Sequence, residues 1–338
     1  YLFLYDDLKK LRDIKTIELL KNKLKDCLKE DLNFLKIELK NFYEYRSKII
    51  NDYLGRKEDD FNNLWTDEKI INEIFLTSLI AEKLKNQTEL DLTQNYIMGK
   101  NIQIVISALK FNNYLRKLVL NSNKIGEDGI YLLGRVLHYN SNIIDLDISL
   151  NFLSDISLGL FLKGIDQKFV NLQKLNLSNN FSLTFLCANK IRDIVELSPN
   201  LRILNISKIN IEKGILKIFE SLIVNKNLEE IVCIQTQIND EILTKLAKFF
   251  NENNDIRLKK LNLSENKFIG NSPKDLFFSL RQNKFLKELI MYNCKMDNHV
   301  FDDFCDMLNL NDCIEKVNFY NNNFDSFDNL KKVLKIKK

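Results

Sequence analysis

Histidine, cysteine, proline and glycine are all scarce in this 338-residue chain, with 2, 6, 2 and 9 copies. The six cysteines, Cys27, Cys187, Cys233, Cys294, Cys305 and Cys313, form no CxxC pair. That excludes a zinc ribbon, a CxxC redox centre and a dense disulfide framework, and it suits a reduced, cytoplasmic setting. No run of about 18 apolar residues is present, so no membrane-spanning helix is expected. Charges arrive by Asp6, unlike the pattern of a signal peptide. No GxxxxGK[ST] phosphate loop occurs. Lys+Arg 50 against Asp+Glu 46 gives a net charge of +4. So small an excess, spread along the whole chain, is not the clustered basic footprint that nucleic acid or an anionic membrane requires.

What the chain does have is a phrase that returns. Leu115 to Ile125 reads L-x-x-L-x-L-x-x-N-x-I. Aligned on its ninth position, the phrase recurs at Asn95, Asn123, Asn151, Asn180, Ile209, Thr236, Asn266, Cys294 and Asn322. The intervals of 28, 28, 29, 29, 27, 30, 28 and 28 residues define nine repeats in phase. A fixed period in this range marks a stacked repeat architecture, in which no single repeat can bury its own apolar face.

Each repeat divides by periodicity. The L-x-L segment alternates inward and outward like a strand. Stacking then predicts a parallel sheet with the leucines in a continuous core. The second half has helical spacing, as at Ile130, Leu133 and Leu137 or Leu243, Leu246 and Phe250. Asparagine at the ninth position can both donate and accept, so Asn95, Asn123, Asn151, Asn180, Asn266 and Asn322, with Cys294 as a substitute, are expected to form a polar ladder. Thr236 can mimic it in part, whereas Ile209 cannot, which predicts a less regular turn there. Asn112, Asn140, Asn253, Asn283 and Asn311 recur just past the helices and are expected to cap them in the left-handed conformation.

Residues 1–85 differ. Apolar residues from Leu8 to Leu28 keep three-to-four spacing, and so do those from Leu35 to Tyr53 and from Ile70 to Leu84. This predicts a helical N-terminal segment that caps the array or docks on a neighbour, followed by the repeat domain over 86–338.

The period, the full helix and the N-x-[I/L]-x-x-x-G phrase after the strand resemble the leucine-rich repeat family, in its ribonuclease-inhibitor-like class. The resemblance implies an α/β horseshoe solenoid, with parallel strands on the concave face and helices on the convex one, that binds proteins. The class includes ribonuclease inhibitors, Ran GTPase-activating proteins, innate immune sensor domains and axonemal scaffold subunits. The expected function is a non-catalytic interaction scaffold, a subunit of a hetero-oligomeric cytoskeletal or ciliary assembly. A small-GTPase regulator and the sensor region of a larger receptor stand as alternatives. No catalytic residue, cofactor, metal, nucleic acid or membrane is expected.

The outward strand positions carry what the scaffold does not dictate. Early repeats present polar groups there, among them Asp145 and Asp147, which are expected to belong to the partner-binding concave face. Later ones present Val232, Ile234, Ile290, Tyr292 and Tyr320. Concave positions enter no core, so these apolar and aromatic side chains are the expected centre of a protein contact. The N-terminal helices are the second expected docking element. His138 and His299, six repeats apart, are expected to be solvated helix residues.

Overall fold

In the computed structural model the described residues are 84, 86–95, 105–106, 108–109 and 112–324, without 168–169 and 254. The expected helical segment lies outside them apart from Leu84. Nine three-residue strands are described: β1 (Glu89–Asp91), β2 (Lys117–Val119), β3 (Asp145–Asp147), β4 (Lys174–Asn176), β5 (Ile203–Asn205), β6 (Glu230–Val232), β7 (Lys260–Asn262), β8 (Glu288–Ile290) and β9 (Lys316–Asn318). Seven helices alternate with them: α1 (Gly126–Tyr139), α2 (Asp155–Ile165), α3 (Ala188–Glu196), α4 (Ile215–Val224), α5 (Asp240–Glu252), α6 (Ser272–Leu280) and α7 (Phe301–Leu310).

The chain divides into two compact units. One runs to Ile143 and takes in Leu160–Asp166; the other holds Ile144–Gly159 and everything from Gln167 on. In the first, β1 pairs with β2 in parallel. In the second, β3 to β9 pair in parallel and in chain order, each middle residue opposite the next, as Leu175 is opposite Leu204 and Leu204 opposite Ile231. This is the α/β leucine-rich repeat solenoid: among the described residues, a strand from each repeat and a helix from each of repeats 2 to 8, with leucines between them. Leu118, Leu146, Leu204 and Leu261 are fully buried. Phenylalanines thicken the core toward the helices. Phe219 meets Phe249 and Phe250 at 6.2 and 5.9 Å, and Phe304 meets Phe277 and Phe319 at 5.6 and 4.4 Å.

In the first unit, α1 crosses the second half of α2 at unusually close range. A Cβ on Gly134 would stand 2.3 Å from the Phe161 carbonyl oxygen, and one on Gly164 would stand 2.3 Å from that of Tyr131. Only glycine permits this approach. His138 is tied down beside it, its Nδ1 2.8 Å from the Ile165 carbonyl oxygen. It is therefore half-buried rather than solvated as the sequence suggested.

The asparagines past the helices are a correction. Asn140, Asn253 and Asn311 have φ of −109°, −125° and −99°, so none is left-handed. Of the five, Asn112, Asn140 and Asn311 reach sideways instead, and Asn225, which the sequence reading did not name, does the same. Asn140 donates through Nδ2 to the Leu109 and Asn112 carbonyls, Asn225 to those of Val195 and Ser198, and Asn311 to those of Leu280 and Asn283. Each thus satisfies carbonyls left open at the end of the preceding repeat's helix, and its Oδ1 accepts from the amides of its own following turn. The left-handed residues stand elsewhere. One precedes every ladder position: Gln94, Ser122, Leu150, Asn179, Lys208, Gln235, Glu265, Asn293 and Asn321.

Candidate functional site

The ladder sets the frame of the sheet face. Asn266 Nδ2 donates to the carbonyls of Cys233 and Leu263 at 2.8 Å, while its Oδ1 accepts from Thr236 and Ile238 at 3.0 and 3.1 Å. Asn180 and Asn322 repeat the pattern. Asn123 donates to Leu92 and Leu120, Asn151 to Ser149, and Asn95 to Thr93. Thr236 Oγ1 donates only to Cys233, at 3.1 Å, and Cys294 Sγ lies 3.3 Å from the Leu263 carbonyl. At Ile209, which is fully buried, a tight three-residue turn appears, Ile211 donating to the Ile209 carbonyl, and Glu212 takes a positive φ.

Above the ladder, the third strand residue is at least partly exposed and is paired with the residue two further on. In repeats 3, 4, 5 and 7 these are Asp147–Ser149, Asn176–Ser178, Asn205–Ser207 and Asn262–Ser264, and the acidic or amide Oδ1 accepts from the serine amide at 2.9–3.1 Å. The four serines are buried, and these polar pairs are committed to the turn. Asp147 also accepts from the Ser149 hydroxyl and from Asn176 Nδ2, and Asp145 pairs with Lys174 at 3.6 Å. Both acids are already partnered within the sheet.

In repeats 6 and 8 the pair is apolar, Val232–Ile234 and Ile290–Tyr292. The preceding repeat's serine then takes over: the Ile234 amide donates to Ser207 Oγ at 3.3 Å and the Tyr292 amide to Ser264 Oγ at 3.1 Å. In repeat 9 the Tyr320 amide returns to its own Asn318. Tyr320 is 76% exposed and stacks on Tyr292, with ring centroids 6.0 Å apart and planes 9° apart. Val232, Ile234, Ile290 and Tyr292 are half-buried on the same face, and β7, between β6 and β8 in the register, separates the two apolar pairs. At the start of these strands Lys260 bridges Glu230 and Glu288 at 3.2 and 3.8 Å, so the flank of the apolar surface is charge-paired.

Among the described residues no group of three or more His, Cys, Asp or Glu could hold a metal ion. Burial pushes the Cys187 and Cys294 thiols up to about 12 and raises Cys233 further, the reverse of a nucleophile's needs. His299 faces Asp297 and the Gly270 carbonyl, a local tie between neighbouring loops. Among the described residues no helix is long and apolar enough to cross a membrane.

One exposed group was missed by the strand-based reading. Phe152, Phe181, Phe185 and Leu186 lie in the segments that leave β3 and β4, and Ile156 is the second residue of α2. The signal was available, since Phe152 and Phe181 directly follow the ladder asparagines of consecutive repeats.

No family model matches the chain. The NACHT, LRR and PYD domains-containing protein 3 of Macaca mulatta is 23% identical over 239 residues, 70% of this chain. Its counterpart in Rattus norvegicus is 24% identical over 255 residues, 73% of this chain. The chain spans only 23% and 24% of the length of these two proteins. Among solved structures it is similar to TLR13 in its complex with ssRNA13, at 18% identity and a TM-score of 0.49, over 75% of this chain and 32% of that one. It is also similar to an internalin from Listeria monocytogenes, at 14% identity and a TM-score of 0.35, over 78% of this chain and 92% of that one. Nine repeats in phase, parallel strands in chain order within each unit and an asparagine ladder make the chain a leucine-rich repeat protein.

Proposed function

We propose that this protein is a non-catalytic interaction scaffold that holds a protein partner on its sheet face, centred on Val232, Ile234, Ile290, Tyr292 and Tyr320. The observation that carries the reading is the stacked Tyr292–Tyr320 pair, held outward over a surface whose neighbouring polar groups are paired. Exposed tyrosine beside aliphatic side chains offers large, rigid contact area with a hydroxyl handle, the composition of binding hot spots. The finer reading is a subunit of a cytoskeletal or ciliary assembly in the cytoplasm, with segment 1–85, expected from the sequence to be helical, as a second docking element.

Proteins that co-purify with the full chain supply the partner, and affinity for that purified partner is then measured. Truncating a hot-spot residue costs about 2 kcal/mol or more, so Tyr292→Ala/Tyr320→Ala is expected to weaken binding by at least about thirty-fold. Full affinity in the double variant overturns the site. Stimulation of a small GTPase by several orders of magnitude would overturn the scaffold reading in favour of a GTPase regulator. The sensor reading draws on the NACHT, LRR and PYD relatives, of which this chain matches less than a quarter. A receptor-type domain joined to this region in the full-length protein would favour it.

A further inference from the structure

The C-terminal ends of α5, α6 and α7 enclose an open recess of about 480 Å³ on the helix side of repeats 6 to 8. Its walls follow from helical spacing. Leu276, Phe277 and Leu280 of α6 are fully buried in the core, which turns Phe278 away from it. Arg281, three residues on and at the C-cap of α6, lies on the same side as Phe278. Phe278 is 60% exposed, and Leu310, the last residue of α7, is 61% exposed. Both line the recess together with Arg281, and so do the exposed amide side chains of Asn251 and Gln282.

Arg281 is the unusual residue here. Its side chain is 24% exposed, and its Nε is buried without an acceptor. Asp306 Oδ2 stands 3.6 Å from Nη2, beyond hydrogen-bond length, and the Asp306 side chain is 64% exposed. The guanidinium carbon lies 5.0 Å from the centroid of the Phe278 ring. Arg135 and Arg192, also half-buried, donate instead to the Tyr139 hydroxyl and the Asp193 carboxylate. A guanidinium carries five N–H donors in a planar fork that matches a carboxylate. At Arg281 that fork is set in place by the Phe278 ring and donates no hydrogen bond to a described residue.

We infer that this recess binds a small monocarboxylic acid with an apolar body, its carboxylate on Arg281 and its body against Phe278 and Leu310. Three features select that ligand. The volume falls in the small-molecule range of about 300–1,000 Å³. The charge matches a single anion: one guanidinium, at helix C-termini that disfavour negative charge, cannot balance a dianionic phosphate. The apolar walls match a ligand that carries more than its charged group. Asp306 is then a competitor for the guanidinium, too exposed and too distant to hold it. Removing the Asp306 charge therefore strengthens binding.

Titration of the isotope-labelled full chain with phenylbutyrate tests this by NMR, read at the Arg281 Nε–H and at the Ser279 and Gln282 backbone amides. Saturable shifts with a dissociation constant of about 1 mM are expected for so small a probe. Phenylbutyramide, of the same shape without the charge, should bind at least about ten-fold more weakly. Arg281→Gln should weaken phenylbutyrate binding by at least about ten-fold, and Asp306→Asn should tighten it about three-fold. Tyr292→Ala/Tyr320→Ala should bind it like the wild type, which separates this recess from the sheet-face site. The inference is overturned by shifts that do not saturate, by equal binding of the amide, by an Arg281→Gln variant that binds normally, or by an Asp306→Asn variant that gains nothing. It is also overturned if inorganic phosphate binds as tightly as phenylbutyrate, because the apolar walls would then contribute nothing. An acetylated tripeptide ending in phenylalanine that binds about ten-fold more tightly would assign the recess to a protein chain end instead.

Discussion

Replacing Asn266 by alanine removes one side chain and leaves backbone groups of two repeats to be satisfied. Asn266 is buried, and its Nδ2 donates to the Cys233 and Leu263 carbonyls while its Oδ1 accepts from the Thr236 and Ile238 amides. The losses are unequal. The Cys233 carbonyl keeps the Thr236 hydroxyl, and the Leu263 carbonyl keeps the Cys294 thiol, a weak donor. The two amides lose the acceptor they share. At about 1–3 kcal/mol for each buried orphan, plus about 1 kcal/mol for the donor bonds, the cost is about 3–7 kcal/mol. Because a repeat array can open in pieces, hydrogen exchange at the Thr236 and Ile238 amides is the sharper assay, with urea denaturation beside it. Both amides should lose protection in the variant while that of Leu177, on the far side of β5, changes little. Asn266→Thr, the residue native at position 236, should fall between wild type and alanine. Unchanged protection at both amides, or a loss of less than about 1 kcal/mol, refutes the account of the ladder as the device that satisfies buried backbone.

Two further outcomes follow from separate features. Gly134→Ala places a methyl group 2.3 Å from the Phe161 carbonyl oxygen, which forces α1 and α2 apart. It should destabilise by about 1–3 kcal/mol, against the usual gain for alanine in a helix, and thermal unfolding would show it. The hydroxyl and then the amide of Thr93 hold the Asp91 carboxyl below its usual range. A depressed folded value means that this carboxylate stabilises the turn above the unfolded value and that the contribution is lost as pH falls through the folded one. NMR titration should show the Thr93 amide shifting only below the ordinary aspartate range, and Asp91→Asn, which keeps the acceptor oxygen, should abolish that acid dependence.

The scaffold was legible because the core admits few substitutes. Leucines at fixed offsets and asparagine every 28 or so residues reveal the repeat, since burial and backbone satisfaction punish any other choice. The asparagines past the helices misled, because asparagine suits two tasks. One is a left-handed cap; the other, used at Asn140, Asn225 and Asn311, is a side chain spanning to the previous repeat. Single-repeat reasoning favours the first, and only stacking reveals the second. The outward columns were also less free than strand alternation implies. Aspartate or asparagine followed two residues later by serine recurs at Asp147, Asn176, Asn205 and Asn262, and that spacing signals a side-chain-bonded turn.

That turn chemistry bears on where a binding surface can lie. Each outward amide after a strand needs an acceptor, and two sources are present: an Asp or Asn of its own repeat, or the serine of the preceding one. Val232–Ile234 is tolerated because Asn205–Ser207 precedes it, and Ile290–Tyr292 because Asn262–Ser264 does. Were both members of two successive repeats apolar, the second amide would have neither source. Tyr320 follows Tyr292 directly only because its own repeat retains Asn318. The gap between the apolar pairs is thus a requirement of the backbone rather than a break in the surface. The polar repeats 5 and 7 support the residues available to a partner, and Ser264, which accepts from the Tyr292 amide, helps hold one half of the stacked tyrosine pair in place.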